Sequence, residues 1–121
     1  MARLERFEDI NAWQKARELT ALVYSCARSG EFARDFGLKD QITRASVSVM
    51  NNIAEGFGPH NDKEFARFLE IAKGSACEVQ SMTYVALDQK YVDEPTQIKL
   101  YQCADAAISL ISGFAKYLRK S

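Results

Sequence analysis

A chain of 121 residues with no break in composition has room for one core, so a single domain over residues 1–121 is expected. Sixteen Lys and Arg balance sixteen Asp and Glu, which excludes attraction to nucleic acid or membrane through bulk charge; any basic surface must be local. The opening MARLERFEDINAW carries Arg3, Glu5, Arg6, Glu8 and Asp9 where an export signal needs an apolar run, and no uncharged stretch approaches the roughly 20 residues of a membrane span, so a cytoplasmic chain is expected.

Four segments show helical periodicity, and none shows the alternation of a half-buried strand. From about Asp9 to Arg28, a broad apolar stripe runs through Ile10, Trp13, Ala16, Leu19, Val23, Tyr24 and Ala27 at mostly three-and-four spacing. Ser29 to Arg34 forms a link. Asp35 is then placed to cap a second helix, about Phe36 to Glu55, whose stripe is Leu38, Ile42, Ala45, Val49 and Ile53.

The stretch NNIAEGFGPHND, residues 51–62, follows. Gly56 is expected to close the second helix in a left-handed conformation, and Gly58-Pro59 to prevent its continuation. A phosphate-gripping glycine turn needs a strand before it, whereas a helix precedes these glycines, so the stretch reads as a cap and turn; an anion held at the start of the next helix is the alternative.

Asn61 opens a third helix, with Glu64 as the reciprocal partner of a capping box. It extends to about Tyr91 through Phe65, Phe68, Leu69, Ala72, Ala76, Val79 and Ala86, roughly 45 Å at helical rise. The fourth starts near Pro95, which suits a first turn, and continues through Ile98, Tyr101, Ile108, Ile111, Ala115 and Leu118. Short links make neighbours antiparallel. The expected fold is therefore all-α, an up-down-up-down four-helix bundle.

Catalytic chemistry finds no constellation here. His60 is the single histidine, so no imidazole pair is available for a metal, and no cofactor is implied. Cys26, Cys77 and Cys103 are far apart and read as small buried hydrophobes; bundle topology keeps them from His60. Glu55, Glu70 and Glu78 lie on or near apolar helices, but without a Glu-x-x-His pair they are expected to pair with Arg44 or Lys73, or to cap a neighbouring backbone, rather than hold metals. The chain is read as not an enzyme.

The stronger signal is an interface. Ala45 to Ala54 carries no charge, and Ile71 to Leu87 carries only Lys73 and Glu78. Helices so depleted have a second surface to cover, most simply with another copy of the chain, and Gly74, Ser75, Ala76 and Ser81 permit close approach. A homo-oligomer using the second and third helices is expected.

Phe7, Ile10, Trp13 and Ala16, then Gln41, Arg44 and Ala45 leading into NIAEG at Asn52 to Gly56, then Glu64, Phe65, Arg67, Phe68, Leu69, Ala72, Gly74, Ser75 and Glu78 form a connected pattern. Across nearly the whole chain it resembles the bacterial four-helix-bundle family encoded in 23S rRNA intervening sequences. The resemblance implies a homopentameric ring and directs attention to the motif's polar residues Arg44, Asn52, Glu55, Glu64 and Glu78. Relatives that accompany diversity-generating retroelements imply nucleic-acid binding. Met50 stands where many relatives have proline, and Gln80 where an acidic residue is expected.

Two functional readings follow. In the first, the topology gathers Arg3, Arg6, Lys63, Arg67, Lys116, Arg119 and Lys120 toward one end, which a ring repeats into a basic rim for structured RNA or DNA. Glu5, Glu8, Asp9, Asp62 and Glu64 share that end and favour a mixed, solvated surface instead. In the second, the oligomer is a protein–protein interaction scaffold with no nucleic-acid role.

Overall fold

The computed structural model describes residues 4–120, and helices dominate them. Helix α1 spans Asn11–Ala27, α2 Phe36–Gly56, α3 Asp62–Asp88 and α4 Glu94–Arg119. Each packs on two neighbours: α1 on α2 and α4, and α3 on α2 and α4. The α2/α3 side of this four-cornered bundle therefore lies opposite the α1/α4 side.

Helix boundaries follow from local hydrogen bonding. The Asp35 carboxylate caps α2 by accepting the Leu38 N–H at 3.0 Å, as its position after a polar link predicts. Its other oxygen accepts the Tyr91 hydroxyl at 2.9 Å, and the Tyr91 ring stacks on Phe32 at 5.2 Å. The Leu38 N–H and then the Tyr91 hydroxyl hold the Asp35 carboxyl below the usual carboxylate range. Phe32 itself is buried, within a short 3-10 turn, Phe32–Arg34, so the link between the first two helices carries a core residue. A second such turn, Phe7–Asp9, takes up Asp9, and α1 begins at Asn11 rather than at that aspartate.

At the far end of α3, the Tyr91 N–H reaches the Ala86 carbonyl and the Lys90 N–H the Leu87 carbonyl, both at 2.9 Å. Lys90 takes the left-handed conformation this termination requires, φ 63°. The helix thus stops short of Tyr91, about 40 Å long over its 27 residues. Helix α4 starts at Glu94 with Pro95 in its first turn, as expected, and Asp93 caps it: the Asp93 carboxylate accepts the Thr96 N–H at 2.9 Å.

The core has two halves. Ile10, Val49, Ile53, Phe65, Leu69 and Ile111 fill the end holding the α2–α3 loop. Leu19, Val23, Phe32, Ile42, Val79 and Leu100 fill the other. Fully covered alanines, among them Ala16, Ala72, Ala76, Ala104 and Ala107, let the helices approach closely along the bundle. At the α1/α2 seam the Thr20 hydroxyl faces the Ser46 carbonyl at 3.1 Å, besides its own-turn contact with Ala16 at 2.9 Å. Between α3 and α4 the buried Gln97 amide donates to the Thr83 hydroxyl at 3.0 Å, which faces the Gln80 carbonyl at 2.7 Å.

Gly56 does not take the expected left-handed conformation; among the described glycines only Gly30 has positive φ. It is the last residue of α2, it is buried, and a Cβ built on it would lie 2.6 Å from Phe65 Cδ1 and 2.9 Å from Phe68 Cβ. The glycine is there because α3 passes where a side chain would be.

Candidate functional site

The turn from α2 to α3 and the end of α4 meet at one end of the bundle, where a groove is lined by Asp62, Lys63, Glu64, Ala66, Arg67, Glu70, Leu118 and Arg119. The arginines expected to be basic contacts there are internally occupied. Arg67 pairs with Glu64 at 2.7 Å and Arg119 with Glu70 at 3.2 Å, while Arg6, ahead of α1, pairs with Glu8 at 2.6 Å. The Arg67 guanidinium accordingly holds the Glu64 carboxyl below its usual range. Lys63, Lys116 and Lys120 are exposed and make no ion pair among the described residues. Arg3 lies outside the described residues.

Asn61 caps α3 by accepting the Glu64 N–H at 2.8 Å. The reciprocal half of the expected capping box is not made, because the Glu64 carboxylate turns toward Arg67. Aromatic rings crowd the same end. Phe65 meets Phe57 at 6.4 Å and Phe114 at 5.1 Å, while the Phe68 ring lies 5.3 Å from the His60 imidazole and 4.8 Å beneath the Arg67 guanidinium carbon. Sequence spacing did not signal the contacts of Phe65 with Phe57 and Phe114 or of Phe68 with His60, since they join residues across a turn or between helices.

The motif polar residues do not converge on one site. Asn52 donates to the Ser48 carbonyl at 2.9 Å and its hydroxyl at 3.0 Å, and Ser48 reaches Ser75 across the α2/α3 seam at 2.9 Å. Arg44 binds Asp40 one turn earlier at 3.0 Å, and Glu55 and Glu78 are exposed. In place of the expected pairing of Glu55, Glu70 and Glu78 with Arg44 or Lys73, or of a backbone cap, Arg44 pairs with Asp40 and Glu70 with Arg119. Gln80, noted as a departure from the family pattern, donates to the Tyr101 carbonyl of α4 at 3.3 Å.

Two further surfaces stand out. On the outer side of α3, Ile71 and Val85 are each 42% exposed, and a Cβ on Gly74 between them would meet nothing within 4 Å. Opposite, between the start of α1 and the end of α4, Leu4, Ile10, Leu110, Gly113, Phe114 and Tyr117 line an open, mainly apolar groove of about 360 Å³. The cysteines split. Cys26 and Cys103 are half-buried and burial pushes their thiols up, whereas Cys77, expected to be buried, is exposed on the outward face of α3. Among the described residues no cluster of three or more His, Cys, Asp or Glu is placed to hold a metal, and no helix is long and apolar enough to cross a membrane.

The model of the 23S rRNA-intervening sequence protein family matches residues 8–113. The chain belongs to this family. In this 23S rRNA-intervening sequence protein, the match takes in NIAEG and the polar residues Arg44, Asn52, Glu55, Glu64 and Glu78, while Arg6, Lys116, Arg119 and Lys120 fall outside it. Among solved structures, the fold is similar to that of a protein of unknown function from the S23 ribosomal protein family of Bacteroides thetaiotaomicron. That similarity has a TM-score of 0.79 and 18% identity, covering 87% of this chain and 98% of the other. No curated protein matches the family member described here.

Proposed function

We propose that the protein is a non-catalytic helical bundle that self-associates and contacts structured RNA or DNA with the end where α3 starts and α4 finishes. The observation that carries this reading is the set of lysines at that end, Lys63, Lys116 and Lys120, which the fold leaves without an acidic partner among the described residues. Lysines free of internal pairs can release counterions from a phosphate backbone, which arginines held by glutamates do less readily. Titrating labelled RNA hairpin and duplex DNA at two salt concentrations tests it: Lys116→Ala with Lys120→Ala is expected to lower the salt slope by about 1 for each lysine removed. Absence of wild-type binding at low salt overturns the nucleic-acid reading.

The assembly we propose is the five-membered ring that the family resemblance implies, in the cytoplasm. Support comes from the outer side of α3, where the open, exposed Gly74 costs about 1 kcal/mol of helix stability relative to alanine with no packing return inside its own chain. Gly74→Ala is expected to raise monomer stability by about that amount. Gly74→Glu is expected to reduce the mass measured by light scattering, and a monomeric wild type at micromolar concentration removes self-association altogether.

The protein–protein scaffold reading has its own support in the apolar α1/α4 groove, where Leu110 is 37% exposed. Under it, the lysine substitutions leave every interaction of the protein unchanged.

A further inference from the structure

The charges at the proposed contact end nearly cancel. Asp62 stands beside Lys63, and Arg6, Arg67 and Arg119 are taken by Glu8, Glu64 and Glu70. Phosphate attraction alone gives such a surface little grip and no preference among nucleic acids. A second kind of contact is built into it. The Phe68 ring has the His60 imidazole 5.3 Å from its centroid at 37°, and the Arg67 guanidinium carbon 4.8 Å above it. Three flat groups are thus packed together, the imidazole tilted on the ring and the guanidinium over it.

The group is held from below and from the side. Phe68 is half-buried, with its Cβ close against Gly56, and His60 is exposed. The loop carrying His60 turns tightly: the His60 N–H donates to the Gly58 carbonyl at 2.7 Å, and Gly58 lies so near the Glu55 carbonyl that a Cβ would be 3.1 Å away. Lys63 lies one helical turn before Arg67, in the same groove, and has no ion pair among the described residues.

We propose that His60, Phe68 and Arg67 form a stacking platform for an unpaired nucleobase, with Lys63 on the adjoining phosphate. Every base has a π face that stacks on aromatic rings and on guanidinium planes, so the platform accepts any base that is free to leave its own stack. An uninterrupted duplex hides those faces. The partner is therefore a single-stranded segment or loop, not a continuous helix. This inference rests on the nucleic-acid reading above and specifies where and what that reading binds.

Fluorescence anisotropy with labelled oligo(U), oligo(dT) and a blunt duplex tests it. His60→Ala and Phe68→Leu are each expected to weaken single-strand binding about 5-fold or more while leaving its salt slope and the duplex affinity unchanged. His60→Tyr keeps a ring at the site and is expected to retain binding. Lys63→Ala is expected to lower the salt slope by about 1 on all three probes. Phe68→Leu preserves apolar bulk near Gly56; if its circular dichroism shows a damaged fold, the exposed His60 substitutions decide the outcome by themselves. Wild-type-like affinity for oligo(U) and oligo(dT) in His60→Ala, or a wild-type preference for the duplex, overturns the platform while leaving a lysine-based contact standing. Failure of the wild type to bind any probe overturns both.

Discussion

Gly56→Ala is expected to destabilise the bundle by about 3 kcal/mol, the upper range for forcing extra volume into a packed core. The added methyl would sit 2.6 Å from Phe65 Cδ1 and 2.9 Å from Phe68 Cβ, and neither neighbour can yield cheaply. Phe65 is only 8% exposed and touches Phe57 and Phe114, while the Phe68 contact is made by its Cβ, which moves only with the α3 backbone. Alanine has the better helix propensity by about 1 kcal/mol in a helix interior, but Gly56 is the last residue of α2 and gains less. Overpacking wins. Urea denaturation of the variant measures the loss, and unchanged stability refutes the clash. In a double-mutant cycle, Phe65→Ala should make the Gly56→Ala cost smaller than in the wild-type background, because the ring it meets has gone.

Thr83→Val is expected to cost about 2 kcal/mol through loss of hydrogen bonding rather than of volume. Thr83 is fully buried and Gln97 is 5% exposed, so the Gln97 amide that donates to the threonine hydroxyl at 3.0 Å is left in the core without that acceptor. Valine has nearly the same shape, which isolates the polar effect from packing. Replacing both partners, Thr83→Val with Gln97→Leu, should recover most of the loss, since no donor is then stranded. Thermal unfolding of the two single variants and the double variant measures this, and a double variant no better than Thr83→Val contradicts the assignment.

Helix existence was legible because apolar residues recur at helical spacing: Leu19, Val23, Ile42, Val49, Ile53, Leu69 and Ile111 are all buried as their stripes require. The caps at Asp35 and Asn61 were legible too, since a short acceptor side chain before an apolar run has one local use. What escaped depends on distance or on competition. The start of α4 near Pro95 was legible while its Asp93 cap was not singled out, and Lys90 gave no sign of left-handed geometry because lysine is an unusual residue for it. Gly56 was read by its commonest role, while its actual one depends on where α3 runs. Topology brings Lys63, Arg67 and Arg119 to one groove, but Arg119 meeting Glu70, 49 positions away, and Glu64 choosing Arg67 over its cap are outcomes that only the assembled helices decide.

The unequal burial of the cysteines makes the molecule a ready-made carrier of one reporter. With the Cys26 and Cys103 thiols pushed toward their protonated, unreactive form by burial and Cys77 open to solvent, a maleimide fluorophore or spin label at neutral pH should attach to Cys77 first, without prior removal of the other two. That probe would sit midway along α3, beside Gly74, and its anisotropy or spin–spin distances would report directly on the proposed self-association in the otherwise unmodified sequence.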